Sequence, residues 1–166
     1  AGYDATLNDK VLNLAIIDRL SLLRDQFGEV WVPLAVVEEL RLGQDLPGSP
    51  AVRQAMEAGW LRVEEVEDRS LVEVLRHSLD KGEAEAIALA LQTKAGCILL
   101  DEREGRSVAK GLGLKVTGVL GVLVRARRAG KLRSLSDAIK ELRERAGFRV
   151  GARLVAELLK ETGESG

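Results

Sequence analysis

The feature of this sequence that most constrains its fold is the alternation of short apolar runs with helical segments. Four apolar, β-prone runs lie at residues 30–32, 60–66, 97–100 and 114–117. Helical patterns of about 10–15 residues separate them, which is the arrangement of βαβ units. The chain is therefore predicted to have an α/β fold, a three-layer α/β/α sandwich with a central, mainly parallel sheet covered on both faces.

The helical segments are delimited by residues that start and stop helices as well as by apolar spacing. An amphipathic pattern with apolar residues three and four apart predicts one helix over residues 11–23. Further helices are predicted over residues 33–43, 50–59, 69–80, 83–95, 104–112, 119–129, 134–146 and 151–162. The chain length suits one compact domain, predicted over residues 1–159, with a charged tail at 160–166 that frays.

The rare residue types limit the chemistry. The 166 residues include one cysteine and one histidine, which excludes an internal disulfide and any metal site built from several cysteines or histidines. No apolar run approaches the roughly 20 residues that span a membrane. The first residues have no basic segment followed by an apolar one, so no signal peptide and a soluble, cytoplasmic protein are expected. Any metal site must use carboxylates.

Several carboxylates are predicted near strand ends, where ligands bind in open parallel sheets. Asp101 ends the apolar run 97–100, although the same position suits a helix N-cap. Glu85 lies at the start of a nearly all-apolar helix, where a buried charge needs a partner. Of the adjacent Glu38 and Glu39, one is expected to point inward beside Leu40 and the other to solvent. The alternative is that they are ordinary surface residues, for which Glu38 is the better candidate. Such hard oxygen ligands, without soft ones, favour Mg²⁺ or Mn²⁺.

The charges are divided unevenly along the chain. Residues 1–100 carry ten basic and 17 acidic side chains, whereas residues 101–166 carry 15 basic and nine acidic ones. The densest basic cluster, called here the 125–133 patch, consists of Arg125, Arg127, Arg128, Lys131 and Arg133. Part of it is explained by cations that complement the end of a helix dipole. The patch is also a candidate surface for a phosphate backbone.

Five stretches together resemble PIN-domain proteins, in the bacterial and archaeal branch of predicted nucleic-acid-binding members. They are Leu12-Asn-Leu-Ala-Ile-Ile-Asp-Arg-Leu, Val32-Pro-Leu-Ala-Val-Val-Glu-Glu-Leu, Gly82-Glu-Ala-Glu-Ala-Ile-Ala-Leu-Ala, Leu99-Leu-Asp-Glu-Arg-Glu-Gly-Arg and Val116-Thr-Gly-Val-Leu-Gly-Val-Leu. The resemblance covers roughly residues 11–155. It implies an α/β/α sandwich with a metal site of three or four acids.

The resemblance assigns the catalytic and metal-binding acids to Glu39, Glu85 and Asp101. The family's first acid, an aspartate that is sometimes asparagine in this branch, follows an apolar strand. Asp4 is the preferred candidate for it, and Asp9 is the alternative. The resemblance implies an Mg²⁺- or Mn²⁺-dependent endoribonuclease in which a metal-activated water attacks a phosphodiester of single-stranded RNA.

Two further expectations concern partners and activity. Many PIN proteins are toxins held by a small antitoxin-like protein, and many are dimers, so such a partner or a homodimer is an expectation here. The alternative function is a catalytically weak or inactive PIN-fold module that binds nucleic acid or protein. The departure of residues 7–11 from the family pattern motivates that alternative.

Overall fold

The computed structural model describes residues 4–8 and 10–164, without the side chain of Val11. Within them, five parallel strands form one sheet in the order β3-β2-β1-β4-β5. The strands are β1 (Ala5–Leu7), β2 (Val30–Pro33), β3 (Leu61–Glu64), β4 (Cys97–Leu99) and β5 (Val116–Thr117). Helices flank this sheet on both faces, which confirms the predicted α/β/α architecture.

Strand β1 is the one strand of the sheet that the sequence patterns did not predict. Three residues, Ala-Thr-Leu, are too few to give a periodic signal. The strand nevertheless occupies the centre of the sheet, where Ala5 pairs with Val30 of β2 and Leu7 pairs with Leu99 of β4. Its position is decided by these long-range pairings and by burial on both faces rather than by local sequence.

The described helices are α1 (Val11–Ile16), α2 (Ser21–Gln26), α3 (Leu34–Leu40), α4 (Ser49–Glu57), α5 (Arg69–Leu75), α6 (Lys81–Thr93), α7 (Arg103–Gly111), α8 (Val119–Arg128), α9 (Leu135–Ala146) and α10 (Ala152–Glu161). The single helix predicted over residues 11–23 is wrong, because two helices with a break between them fill that range. Asp18 lies in the break with a φ of 59°, a left-handed conformation that no helix continues through. None of these helices is long and apolar enough to cross a bilayer.

Two hydrophobic cores fill the spaces between the layers. Helices α1, α2, α4, α8 and α9 contribute to the core on one face, and α5, α6 and α7 to the core on the other. Successive strand residues alternate between the two, since Leu99 belongs to the first core while Ile98 and Leu100 belong to the second. The residues of the central strands β1 and β4 are buried on both faces, as expected for a parallel sheet, whereas Arg62 and Glu64 of the edge strand β3 are exposed.

Helix α6 is buried on nearly every side and packs across β1, β2 and β4. Its alanine- and leucine-rich sequence favours a helix and allows close approach to the sheet. A capping box starts it, in which the Asp80 side chain accepts a hydrogen bond from the Glu83 N–H at 2.8 Å. Because α6 leads into the parallel strand β4, its first turn lies at the carboxyl edge of the sheet.

The segment after residue 159, predicted to fray, is held in place through residue 164. Helix α10 continues to Glu161. The Glu164 carboxylate then accepts hydrogen bonds from the backbone N–H groups of Leu135 and Ser136, at 2.7 and 3.1 Å, and so caps α9. Arg127 donates to the same carboxylate at 2.8 Å. These hydrogen bonds and the Arg127 charge lower the pKa of Glu164 against the opposing effect of burial.

Candidate functional site

The strand order reverses between β1 and β4, and that point defines a crevice at the carboxyl edge of the sheet. Asn8 follows β1 directly, and Asp101 lies two residues beyond β4. Since Leu7 pairs with Leu99, Asn8 and Leu100 are the residues that leave the two neighbouring strands at the same edge of the sheet. The crevice therefore brings the polar residues Asn8 and Asp101 to the usual ligand position of an open α/β sheet.

Asp101 is held firmly by one carboxylate oxygen and leaves the other without a partner. Its Oδ1 accepts a hydrogen bond from the Val119 N–H at 2.9 Å, at the start of α8. Its Oδ2 is buried without a hydrogen-bond partner. A Cβ on Gly118 would lie 2.7 Å from Oδ1, so the glycine permits this close approach. Desolvation raises the pKa of Asp101, opposed by the Val119 hydrogen bond and the Arg106 and Lys10 charges.

Glu83 provides a second buried carboxylate at this edge. It is 6% exposed, and its Oε1 accepts a hydrogen bond from the Asp80 N–H at 3.4 Å. Its Oε2 is buried without a hydrogen-bond partner and lies against Gly105. Desolvation, aided by the negative charges of Asp80 and Glu102, raises the pKa of Glu83 to about 7. The carboxyl group can therefore exchange a proton near neutral pH.

Glu102 lines one cleft together with Glu83 and another together with Asp101. One cleft, of about 670 Å³, is lined by Asp80, Glu83, Glu102, Arg103, Glu104 and Ser107. A second, of about 380 Å³, is lined by Lys10, Asn13, Asp101, Glu102 and residues 146–149. The charge of Glu102 raises the pKa of both other acids, and Lys10 pairs with it at 3.7 Å. Glu83, Asp101 and Glu102 are called the edge acids below.

The predicted first acid, Asp4, is placed elsewhere, and this corrects the assignment from the sequence. Asp4 precedes β1, and its Oδ1 accepts a hydrogen bond from the Glu29 N–H at 2.9 Å, just before β2 begins. It therefore lies at the amino edge of the sheet, opposite Asp101. The error arose because the strand was expected before Asp4 rather than after it. Asn8 occupies the position after the strand, and the alternative Asp9 lies outside the described residues.

Glu85 and Glu39 also lie outside the crevice lining. Glu85 is 1% exposed and forms a two-point ion pair with Arg69 of α5, at 2.9 and 2.6 Å. The buried charge thus has the partner that the sequence required, but that partner is a guanidinium rather than a metal.

Glu38 and Glu39 are both exposed on α3, so the prediction that one of them points inward is wrong. Over residues 4–8 and 10–164, no three acidic, histidine or cysteine side chains form a metal-binding group.

The 125–133 patch is largely engaged in contacts within the protein. Arg127 pairs with Glu164 at 2.8 Å, and Arg128 approaches Glu161 at 3.5 Å. Arg125 donates to Gln26 at 3.0 Å and to Thr117 at 2.8 Å. Helix α8 starts beside Asp101, so its last turn lies about 15 Å from the crevice. Lys131 and Arg133 remain exposed at that far end.

A different set of cations borders Asp101, and the sequence reasoning missed it. Arg103, Arg106 and Lys110 line a cleft of about 380 Å³ together with Asp101. Arg149 lines two neighbouring clefts that also include Asp101. The signal available in the sequence was the spacing of three and four residues between the cations of α7, which places them along one helical face. These four cations are called the edge cations below.

The raised pKa of Glu83 predicts a pH dependence of folding stability. A carboxyl whose pKa rises from an ordinary 4.5 to about 7 binds its proton more tightly in the folded state. Its contribution to stability is therefore complete below about pH 4.5 and is lost as the pH rises through about 7. The free energy of unfolding, measured by urea denaturation in EDTA, should fall over this range. Glu83→Gln should flatten that fall, and an unchanged slope would contradict the assignment.

Comparisons with known proteins identify the family of this chain. A family model described as PIN domain matches residues 9–164. No curated protein matches. A solved structure of a PilT N-terminus domain protein from the archaeon Sulfolobus solfataricus is similar at 15% identity, with a TM-score of 0.48, over 79% of this chain and 95% of that chain. Because the family model covers nearly the whole sequence, the chain belongs to the PIN-domain family, whose fold is nuclease-like.

Proposed function

We propose that the protein is an Mg²⁺- or Mn²⁺-dependent endoribonuclease that acts at the crevice around Asp101. The single observation that carries the proposal is the buried, unpartnered Oδ2 of Asp101 at the reversal of strand order. The edge cations around it are suited to a phosphate backbone. PIN domains generally depend on divalent metals, which agrees with a carboxylate in this place.

The donor set around Asp101 fits a hard cation with few protein ligands. Mg²⁺ usually retains several waters and is bound through one or two carboxylates together with substrate phosphates. Asp101 and Glu102, which line one cleft, would hold the metal, and Glu83 adds a carboxylate in the adjoining cleft. The unpartnered Oδ2 of Asp101 is the group that a cation would satisfy. When bound, the metal lowers the pKa of a water and stabilises charge on the phosphate.

Other groups of this chain orient Asp101, bind the phosphates and transfer a proton. The Val119 N–H fixes Asp101 by one oxygen, so the unpartnered oxygen keeps a constant position. The edge cations bind the phosphates on either side of the scissile bond and orient them. With a pKa of about 7, Glu83 can hold a proton on Oε2 and give it to a leaving oxygen, or accept one from water.

The test of this proposal is cleavage of single-stranded RNA by the full chain. We expect endonucleolytic products with Mn²⁺ or Mg²⁺ and none after EDTA treatment, with activity restored when metal is returned. Single-stranded DNA of the same sequence serves as the comparison for substrate class. Cleavage that continues in EDTA would contradict metal dependence, and absence of cleavage with either metal on varied RNA would contradict the nuclease proposal.

The alternative is a PIN-fold module that binds nucleic acid without cutting it. One observation favours it, since the described residues do not gather three acids into a metal-binding group. Calorimetric titration with Mn²⁺ separates the two functions, because a non-catalytic module should show no binding up to millimolar metal. A role as the toxin of a toxin–antitoxin pair stays a prediction under either reading.

A further inference from the structure

Residues 148–150 form a wall between two clefts that both include Asp101. The larger cleft, of about 500 Å³, and the smaller, of about 380 Å³, share Asp101, Phe148 and Arg149. Phe148 is half-buried against the core, and Arg149 is exposed. Phe148 and Arg149 therefore line the same two clefts as the carboxylate at the centre of the proposed site.

The wall is fixed in position by the end of α9. Gly147 adopts a left-handed conformation with a φ of 65°, which ends the helix and turns the chain. The Phe148 N–H then donates to the Leu142 carbonyl at 3.0 Å. Arg143 donates to the Val150 carbonyl at 3.0 Å, which holds the other side of the segment. Phe148 and Arg149 are thus presented from a constrained backbone rather than from a free loop.

The chemistry of the larger cleft suits one nucleotide. Its apolar lining comes from Phe148, Val150, Leu120, Leu154 and Leu158, while Arg106 and Arg149 supply positive charge. An apolar wall with one aromatic ring can stack an unpaired base, and the two cations can bind the phosphate joined to it. A purely apolar protein segment would cover the Arg149 guanidinium, the remaining donors of Arg106 and the unpartnered oxygen of Asp101 without pairing them, so charge complementarity favours a nucleic acid.

We propose that Phe148 and Arg149 form a nucleotide-binding subsite for single-stranded nucleic acid next to Asp101. The base stacks on Phe148, and its phosphate lies between Arg149 and Arg106. The strand must be single, because a base held in a duplex cannot expose its face to a side chain. The inference rests on the proposed function for its substrate class and adds the residues that position the strand.

Binding is tested apart from cleavage, with the full chain in EDTA and a ten-nucleotide RNA containing one 2-aminopurine. Phe148→Leu keeps an apolar side chain against the core but removes the aromatic face. We expect it to weaken binding about tenfold and to abolish the quenching of 2-aminopurine. Phe148→Trp keeps an aromatic face, so the binding and the quenching should both be retained. Arg149→Ala should lower the slope of log affinity against log salt by about 0.7. Arg24→Ala, at an exposed arginine on α2, is the control for Arg149→Ala. Leu46→Ala, at an exposed leucine that lines neither cleft, is the control for Phe148→Leu.

The outcomes separate this inference from the proposed function. If Phe148→Leu binds and quenches as the unaltered chain does, the subsite is wrong even if metal-dependent cleavage occurs. If the unaltered chain binds and quenches through Phe148 but never cleaves RNA, the subsite is supported and the nuclease proposal fails. Absence of binding by the unaltered chain up to about 100 µM, the weak limit of non-specific binding, would overturn the subsite.

Discussion

Asp101→Asn is expected to lower metal-dependent RNA cleavage by more than about a hundredfold while the protein stays folded. Asparagine keeps an Oδ1 that can accept the Val119 N–H, so the start of α8 should remain in place. It replaces the free carboxylate oxygen with an NH2 group, which cannot bind a cation. Altering groups that merely support a metal ligand already costs about 10–100-fold, so loss of a ligand should cost more. The measurement is the initial rate of RNA cleavage with saturating Mn²⁺.

The matched control for that variant is Asp25→Asn. Asp25 is exposed on α2 and is distant in sequence from Asp101. It makes the same chemical change and should cleave RNA at the unaltered rate. Thermal unfolding of both variants should remain close to that of the unaltered chain. Undiminished cleavage by Asp101→Asn would remove Asp101 from the proposed site, and with it the observation that carries the nuclease function.

Removal of the Arg69 guanidinium should cause the largest loss of stability among these changes. Glu85 is 1% exposed, and Arg69 is the partner bound to both its carboxylate oxygens. Arg69→Ala leaves that charge buried and unpaired, which typically costs 3–5 kcal/mol. Because the Arg69 side chain is 56% exposed, water can reach part of the site, and a loss of about 3 kcal/mol is expected. Urea denaturation at neutral pH measures it.

A double-mutant cycle separates the ion pair from general loss of packing. Replacing Arg69 by methionine and Glu85 by glutamine together removes both charges and keeps similar volumes. The double variant should be more stable than the sum of the Arg69→Met and Glu85→Gln losses predicts, because no unpaired charge remains buried. Arg76→Ala, just beyond the end of α5, should change the free energy of unfolding by less than about 0.5 kcal/mol. Additive effects of the two substitutions would contradict the assigned coupling.

The ion pair also shows how the fold separates two acids that the sequence pattern does not distinguish. Glu83 and Glu85 are two residues apart on one helix, so their side chains point in nearly opposite directions. Glu83 faces the cleft shared with Glu102, while Glu85 faces Arg69 on α5. Both positions fit an acid at the entry of an apolar helix. Only the packing of α5 and α7 on either side of α6 decides which of them reaches the crevice.

The 125–133 patch shows that the sequence alone also does not reveal which cations are free to bind a ligand. Five cations in nine residues suggested a phosphate surface, but a sequence count does not include distant partners. Glu161 and Glu164 fold back onto Arg128 and Arg127, so part of the charge is neutralised within the protein. The edge cations are more dispersed in sequence, from Arg103 to Arg149. Folding brings them together around Asp101, which a local count cannot register.

The sequence by itself determined the alternation of strands and helices, the parallel sheet and the position of Asp101 at a strand end. These follow from apolar periodicity and helix signals, which act over a few residues. Only the tertiary structure decided that β1 follows Asp4, that Asn8 leaves β1 at the edge where β4 ends, and that Arg69 forms an ion pair with Glu85. Such pairings join residues far apart in the chain, and their free energy comes from burial and contact that no local pattern records.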